Sequence, residues 1–154
     1  MVCWGRQPTE RPDPVATFAQ PSSRRMTDDR SHAIYSPALL RWYDVIVLGI
    51  SNRLIWRCPT PRLLEFFNRH VSGNHLDVGV GTGYFLDRCR FPVEHPRVTL
   101  LDANPHCLAA AARRLTRYQP QIVQCDITQP MEYQGERFDS ISLNYVLHCL
   151  PGPL

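Results

Sequence analysis

Three glycines on alternate positions, Gly79, Gly81 and Gly83, follow an apolar run holding one carboxylate, Asp77, in the segment HLDVGVGTGY. Glycine tolerates positive φ and carries no Cβ, so such a turn lets the backbone pass close to a ligand. Leu76, Val78 and Val80 alternate as in a buried strand over His75–Val80, and Tyr84-Phe85-Leu86-Asp87 reads as the opening of a helix. Strand, glycine turn and helix together begin a nucleotide-cofactor half-domain, with the ligand at the carboxyl end of the strand beside a helix N-terminus. The spacing narrows the ligand class. A dinucleotide fingerprint needs G-x-G-x-x-G, but position 84 is tyrosine and the pattern is G-x-G-x-G. A phosphate-gripping loop needs a lysine after its last glycine, and none follows here.

Three carboxylates sit where such a ligand would meet them. Asp102 ends a second apolar strand, 19 residues beyond Gly83, where it can accept hydrogen bonds from two ribose hydroxyls; a solubilising charge at a strand end is the plainer role. Asp77 lies inside a strand headed for burial, so it must be paired, with an ammonium or a backbone amide as the expected partner. Asp126 ends a third strand and faces the same crevice, with a purely structural role as the alternative. His148 is the histidine nearest that crevice, as a base or polar lining residue, although a satisfied structural histidine fits as well. His75 reads as structural. His32, His70, His95 and His106 are dispersed without ligand spacing, so no metal site is expected.

The elements that must position these groups follow from the rest of the 154 residues. The length suits one domain, and 44% apolar with 20% charged residues fits a globular protein. The net charge of +3 comes from scattered arginines, with no basic-aromatic interleaving and no zinc-finger pattern, so nucleic acid is not an expected partner. Six separated cysteines without C-x-x-C or a secretory segment argue against a disulfide framework. Val45–Ile50 is too short to span a membrane, and Arg24-Arg25 is not followed by an apolar run, so a cytoplasmic setting is expected.

Residues 1–30, with Pro8, Pro12, Pro14 and Pro21, read as a disordered tail, and Met26 as a conceivable internal start. Residues 31–73 read as an N-terminal helical region. Ser36-Pro37 opens one helix running to about Trp56, with a strand over Val45–Ile50 as the alternative, and Thr60-Pro61 opens another as cap plus proline. Residues 74–154 form the core. Strands are expected at Arg97–Leu101, Gln121–Cys125 and Phe138–Leu143. Helices are expected from Asn104-Pro105 to about Arg117 and from Asn144 onward, with Arg113, Arg114 and Arg117 complementing a helix dipole. This alternation predicts an α/β fold with a parallel, doubly wound, Rossmann-like sheet and helices on both faces.

HLDVGVGTGYFLD, VTLLDANPHCLAAAARR, VQCDIT and FDSISLNYVLHCLPG resemble the successive motifs of the class I S-adenosylmethionine-dependent methyltransferases that act on small molecules. The resemblance runs from about Tyr35 to the last residue. It implies that Gly79, Gly81 and Gly83 cradle the methionine part of S-adenosyl-L-methionine and that Asp77 helps hold its amino-acid end. It implies further that Asp102 binds the ribose and that Asp126 with Ile127 borders the adenine. Asn144 and Tyr145 would lie beside the donor. The resemblance makes residues 31–73 a helical cover, and Tyr35 and Tyr43 resemble aromatic residues of such a cover, with ordinary core packing as the alternative. The family fold has seven strands and this chain supplies four. The expectation is therefore an incomplete fold with little turnover alone and an open edge at the fourth strand, prone to self-association. An NAD-dependent oxidoreductase and a non-catalytic interaction module are the competing readings.

Overall fold

Asn74–Val78 (β2) is the strand on which the main sheet is built, because its neighbours on both sides are parallel partners. The computed structural model describes residues 17–19 and 57–146. In chain order these hold β1 (Thr17–Ala19), α1 (Thr60–His70), β2, α2 (Tyr84–Arg88), β3 (Arg97–Asp102) and α3 (Pro105–Arg114). A 3-10 turn (Thr116–Tyr118), β4 (Gln121–Gln124), β5 (Glu132–Gln134) and β6 (Ser140–Leu143) follow. The four-stranded sheet has the order β4-β3-β2-β6, all parallel. The chain thus runs outward from β2 through β3 to β4, then returns to the other side of β2. That reversal makes a topological switch point between β2 and β6, where open α/β sheets bind ligands at the carboxyl ends of their strands.

Alternation along β2 divides the core in two. One face carries Val98 and Leu100 of β3 against Phe67 and Val71, Phe85 and Leu86 of α2, and Leu108, Ala111 and Leu115 at α3. All three described helices contribute to this packing. The opposite face carries Leu76, Val78, Leu101 and Cys125, joined by Phe18, Val123, Ile127 and Phe138. Among the described residues this second face meets the antiparallel β1–β5 pair rather than a helix. Ile141 and Leu143 on β6 lie beside Leu76 and Val78 on that face and remain 57% and 48% exposed. Among the described residues β6 has one strand partner, β2, as expected for an edge.

Several boundaries differ from the sequence reading, each for a local reason. Thr17–Ala19 falls in the stretch read as a disordered tail, yet it pairs with Glu132–Gln134 in the loop around Pro130 and Gly135. Phe18 explains the pairing, since its ring packs on Tyr133 and Phe138. Thr60 is the first helical residue rather than the cap of α1. Pro59, extended at ψ 139°, takes the cap position, and no side chain caps the helix. Asn104 does cap α3, its side chain accepting from the His106 amide at 2.9 Å with Pro105 in the first turn. The expected helix to Arg117 ends at Arg114 and tightens into the 3-10 turn. Arg117 then pairs with Asp87 Oδ1 at 2.7 Å, and Arg114 reaches Thr82 Oγ1 at 3.2 Å, so these arginines tie α3 to α2 and the glycine turn. The expected helix over Ser36–Trp56 lies outside the described residues.

Candidate donor-binding site

The carboxyl ends of β2, β3, β4 and β6 line up by register. Val78 lies opposite Leu101 and Leu143, and Asp102 lies opposite Gln124. The segments that leave these strands, 79–83, 102–104, 125–127 and 144–146, therefore share one edge of the sheet. Gly79, Gly81, Gly83, Asp102, Asp126, Ile127, Asn144 and Tyr145 all come from these segments. Asp77 is set one residue back inside β2. Tyr35, Tyr43 and His148 lie outside the described residues.

Gly79, Gly81 and Gly83 have φ of +68°, +53° and +72°, the left-handed region that side chains other than glycine's rarely adopt. Their surroundings differ. A Cβ at Gly79 would stand 2.2 Å from Val146 Cγ2, so this residue lets the segment after β6 close over the turn. A Cβ at Gly83 would meet Ala111 and Leu115 at 3.2–3.3 Å, so the close helix packing of the third glycine is made against α3. Among the described residues, a Cβ at Gly81 would meet nothing within 4 Å. The backbone at Gly81 is therefore open to a ligand.

Gly81→Ala separates ligand contact from fold. It adds a methyl group to open space and forces a left-handed alanine, which costs about 1–2 kcal/mol. The expected outcome is a modest loss of thermal stability with a disproportionate loss of ligand affinity, measured by melts and titration on the same variant.

Asp102 braces the turn. Its Oδ2 accepts from the Gly81 amide at 3.3 Å, and its Oδ1 from the Asn104 amide at 2.9 Å. Asp126 is held in its own turn, Oδ1 accepting from the Thr128 amide at 2.9 Å and from its hydroxyl at 2.7 Å. Ile127 packs half-buried against the second core. Tyr145 adopts φ +58° and stacks on Phe85 with ring centroids 6.3 Å apart. The side-chain nitrogens of Asn104 and Asn144 are buried without a hydrogen-bond partner among the described residues, and both lie at this edge of the sheet. A polar group entering there would satisfy them.

Asp77 is buried, as expected, and its hydrogen-bond partner among the described residues is a hydroxyl, where an ammonium or a backbone amide was the example expected. The Ser142 hydroxyl donates a short hydrogen bond to Asp77 Oδ1 from the adjacent strand. Burial pushes the Asp77 carboxyl up to about 7; the serine bond opposes this and the nearby Asp102 charge adds to it. His75 is buried as well, between Ser140 and Ser142 and against the rings of Phe67 and Phe91. Burial pushes it down to about 4. Sequence reasoning passed over both serines; their period-two spacing on the strand next to two buried polar residues was the available signal.

Other chemistries find less support. Burial pushes the Cys89 and Cys107 thiols up to about 12, the reverse of what a nucleophilic cysteine requires. Among the described residues no group of three or more His, Cys, Asp or Glu side chains could hold a metal ion, and no helix is long and apolar enough to cross a membrane.

Comparison with known proteins gives a consistent result. A family model described as a methyltransferase domain matches residues 76–154. The physcion biosynthesis cluster O-methyltransferase of Aspergillus chevalieri is 44% identical over 128 residues, covering 82% of this chain and 57% of that protein. The demethylluteothin O-methyltransferase of Streptomyces thioluteus is 37% identical over 120 residues, covering 78% and 52%. The methyltransferase ctvB of Aspergillus terreus is 42% identical over 144 residues, covering 88% and 60%. The chain thus spans between half and two thirds of the length of these relatives. The matches favour neither the oxidoreductase nor the interaction-module reading.

Proposed function

The chain belongs to the class I S-adenosylmethionine-dependent methyltransferase family, and from that premise we propose that it binds S-adenosylmethionine at the carboxyl edge of its sheet and serves methyl transfer to a small molecule. One observation carries this reading. The open backbone at Gly81 lies within hydrogen-bond reach of Asp102, beside a switch point at which Asp77 is the buried carboxylate. Relatives named as O-methyltransferases support an oxygen atom as the acceptor. Free cysteines at 58, 89, 107 and 125 support a reducing, cytoplasmic setting.

The residues present suit the donor. Asp102 offers a carboxylate for paired ribose hydroxyls, Asp77 a counter-charge for the ammonium, and the glycine turn a surface without side chains. The buried amide nitrogens of Asn104 and Asn144 can donate to polar groups nearby. The bound donor would supply a methyl group on a sulfonium, a carbon that needs in-line alignment from the protein, and a base must take the proton wherever the acceptor arrives protonated. These residues then act by positioning, which alone removes a large share of a bimolecular barrier.

Asp102→Asn tests the assignment. The amide offers one carbonyl oxygen where the carboxylate offers two, and it carries no charge. Hydrogen bonds to charged groups contribute about 1.5–3 kcal/mol, so affinity for S-adenosylhomocysteine should fall roughly 10- to 100-fold. Calorimetric titration checks this, with a melt of the variant confirming the fold. Unchanged affinity would remove Asp102 from the site.

A further inference from the structure

We infer that His75, Ser140 and Ser142 form a one-directional hydrogen-bond relay, anchored on the backbone amide of Ser72, that holds Asp77 as an oriented carboxylate for the donor's ammonium. This rests on the donor-binding reading above, and it assigns positioning roles to three residues that touch no donor.

The direction follows from counting hydrogens. The Ser142 hydroxyl has one, and it goes to Asp77 Oδ1. Towards His75 Nε2, 3.0 Å away, Ser142 Oγ can then only accept, so Nε2 carries the ring hydrogen. A neutral ring leaves Nδ1 as an acceptor, and the Ser140 hydroxyl at 2.7 Å donates to it. Ser140 Oγ in turn accepts from the Ser72 amide at 2.9 Å, a backbone group that can only donate. Each donor meets one acceptor from Ser72 to Asp77. In the reverse direction Ser140 Oγ would accept from both the ring and the Ser72 amide, and its own hydrogen would be turned away from the chain. The fixed amide at one end thus favours negative charge at the other.

Strand register makes the relay possible. His75 lies opposite Ser140 and Asp77 opposite Ser142, all four on one face of the β2–β6 pair. The titratable groups facing Asp77 among the described residues are Asp102, which disfavours its charge, and Cys89, whose own ionisation Asp77 opposes. His75 otherwise meets the rings of Phe67 and Phe91. The relay opposes the burial that would leave Asp77 protonated.

Two measurements test it. In nitrogen-15 spectra of the 154-residue chain at pH 8, His75 should be the neutral Nε2–H tautomer; an Nδ1–H tautomer would overturn the relay whether or not the chain binds donor. Titration with S-adenosylhomocysteine across pH supplies the functional arm. Ser142→Ala should weaken binding about fivefold at pH 7 and raise the pH at which affinity is half lost by about one unit, while Ser142→Thr, which keeps the hydroxyl, should restore both. Equal midpoints for the alanine, threonine and native chains would also overturn it. Failure of the native chain to bind S-adenosylhomocysteine would count against the donor site itself, and the tautomer would still decide the relay.

Discussion

Gly79→Ala is expected to destabilise the chain by about 2–5 kcal/mol and to abolish donor binding with it. Two costs add at this position. A left-handed alanine at φ +68° costs about 1–2 kcal/mol. The new Cβ would stand 2.2 Å from Val146 Cγ2 and 3.3 Å from Val146 Cβ, a clash that a short branched side chain cannot swing away from, and overpacking of this kind costs about 1–3 kcal/mol. The Gly79 amide also bonds to Leu101 O at 2.7 Å, so displacing the turn loosens β3 as well. Against a domain stability of about 5–15 kcal/mol the loss is large. Urea denaturation measures it. A midpoint equal to that of the native chain would mean that the segment after β6 does not close on the turn.

Asp77→Asn is expected to do the opposite to the fold while removing the ligand. The amide keeps an acceptor for Ser142 and sheds a buried charge, so stability at pH 8 should hold or rise. Affinity for S-adenosylhomocysteine should fall about 100-fold, the cost of removing a charge-assisted bond from a buried site. The pH dependence sharpens this prediction. Asp77 is pushed up to about 7, so between about pH 4 and pH 7 the folded chain keeps a proton that the unfolded chain releases, and this contribution to stability is lost as pH rises. His75 is pushed down to about 4, so between about pH 4 and pH 6.5 the unfolded chain takes a proton that the folded ring refuses, and this contribution grows as pH rises. In the native chain the two slopes oppose each other. Asp77→Asn leaves the histidine slope, so its stability should climb by up to about 1.4 kcal/mol per pH unit between pH 4.5 and 6.5 while the native chain changes little. Melts at those two pH values would show the contrast, and identical slopes would contradict the burial of one or both groups.

The parts of the fold legible in the sequence were those whose pattern is local. Leu76 and Val78 alternating into a glycine turn, and Asn104-Pro105 opening a helix, each declare themselves within a few residues. The position of Asp102 at the end of β3 was legible because its distance from the turn is set by one helix and one strand. The features that escaped depend on pairing at long range. Thr17–Ala19 is too short to show a period, and its strand exists because Phe18 finds Tyr133 and Phe138. Ser140 and Ser142 read as ordinary polar alternation until the β2–β6 register sets them against His75 and Asp77, 65 residues away. Asp77's burial followed from its place in the strand, but its partner did not, since nothing local distinguishes a hydroxyl from an amide or an ammonium. At Thr60 the local rule itself misled, because Pro59 occupies the cap position.

The central claim, that this edge of the sheet binds S-adenosylmethionine, is tested most directly by thermal melts of the chain with S-adenosylhomocysteine and, as control, reduced nicotinamide dinucleotide. A ligand that binds the folded state alone raises apparent stability with the logarithm of its concentration, by about 2.7 kcal/mol at a hundredfold excess over Kd. The account predicts a cooperative transition that moves upward with S-adenosylhomocysteine and stays in place with the nicotinamide. A cooperative transition that S-adenosylhomocysteine leaves unmoved, or that only the nicotinamide shifts, would contradict it.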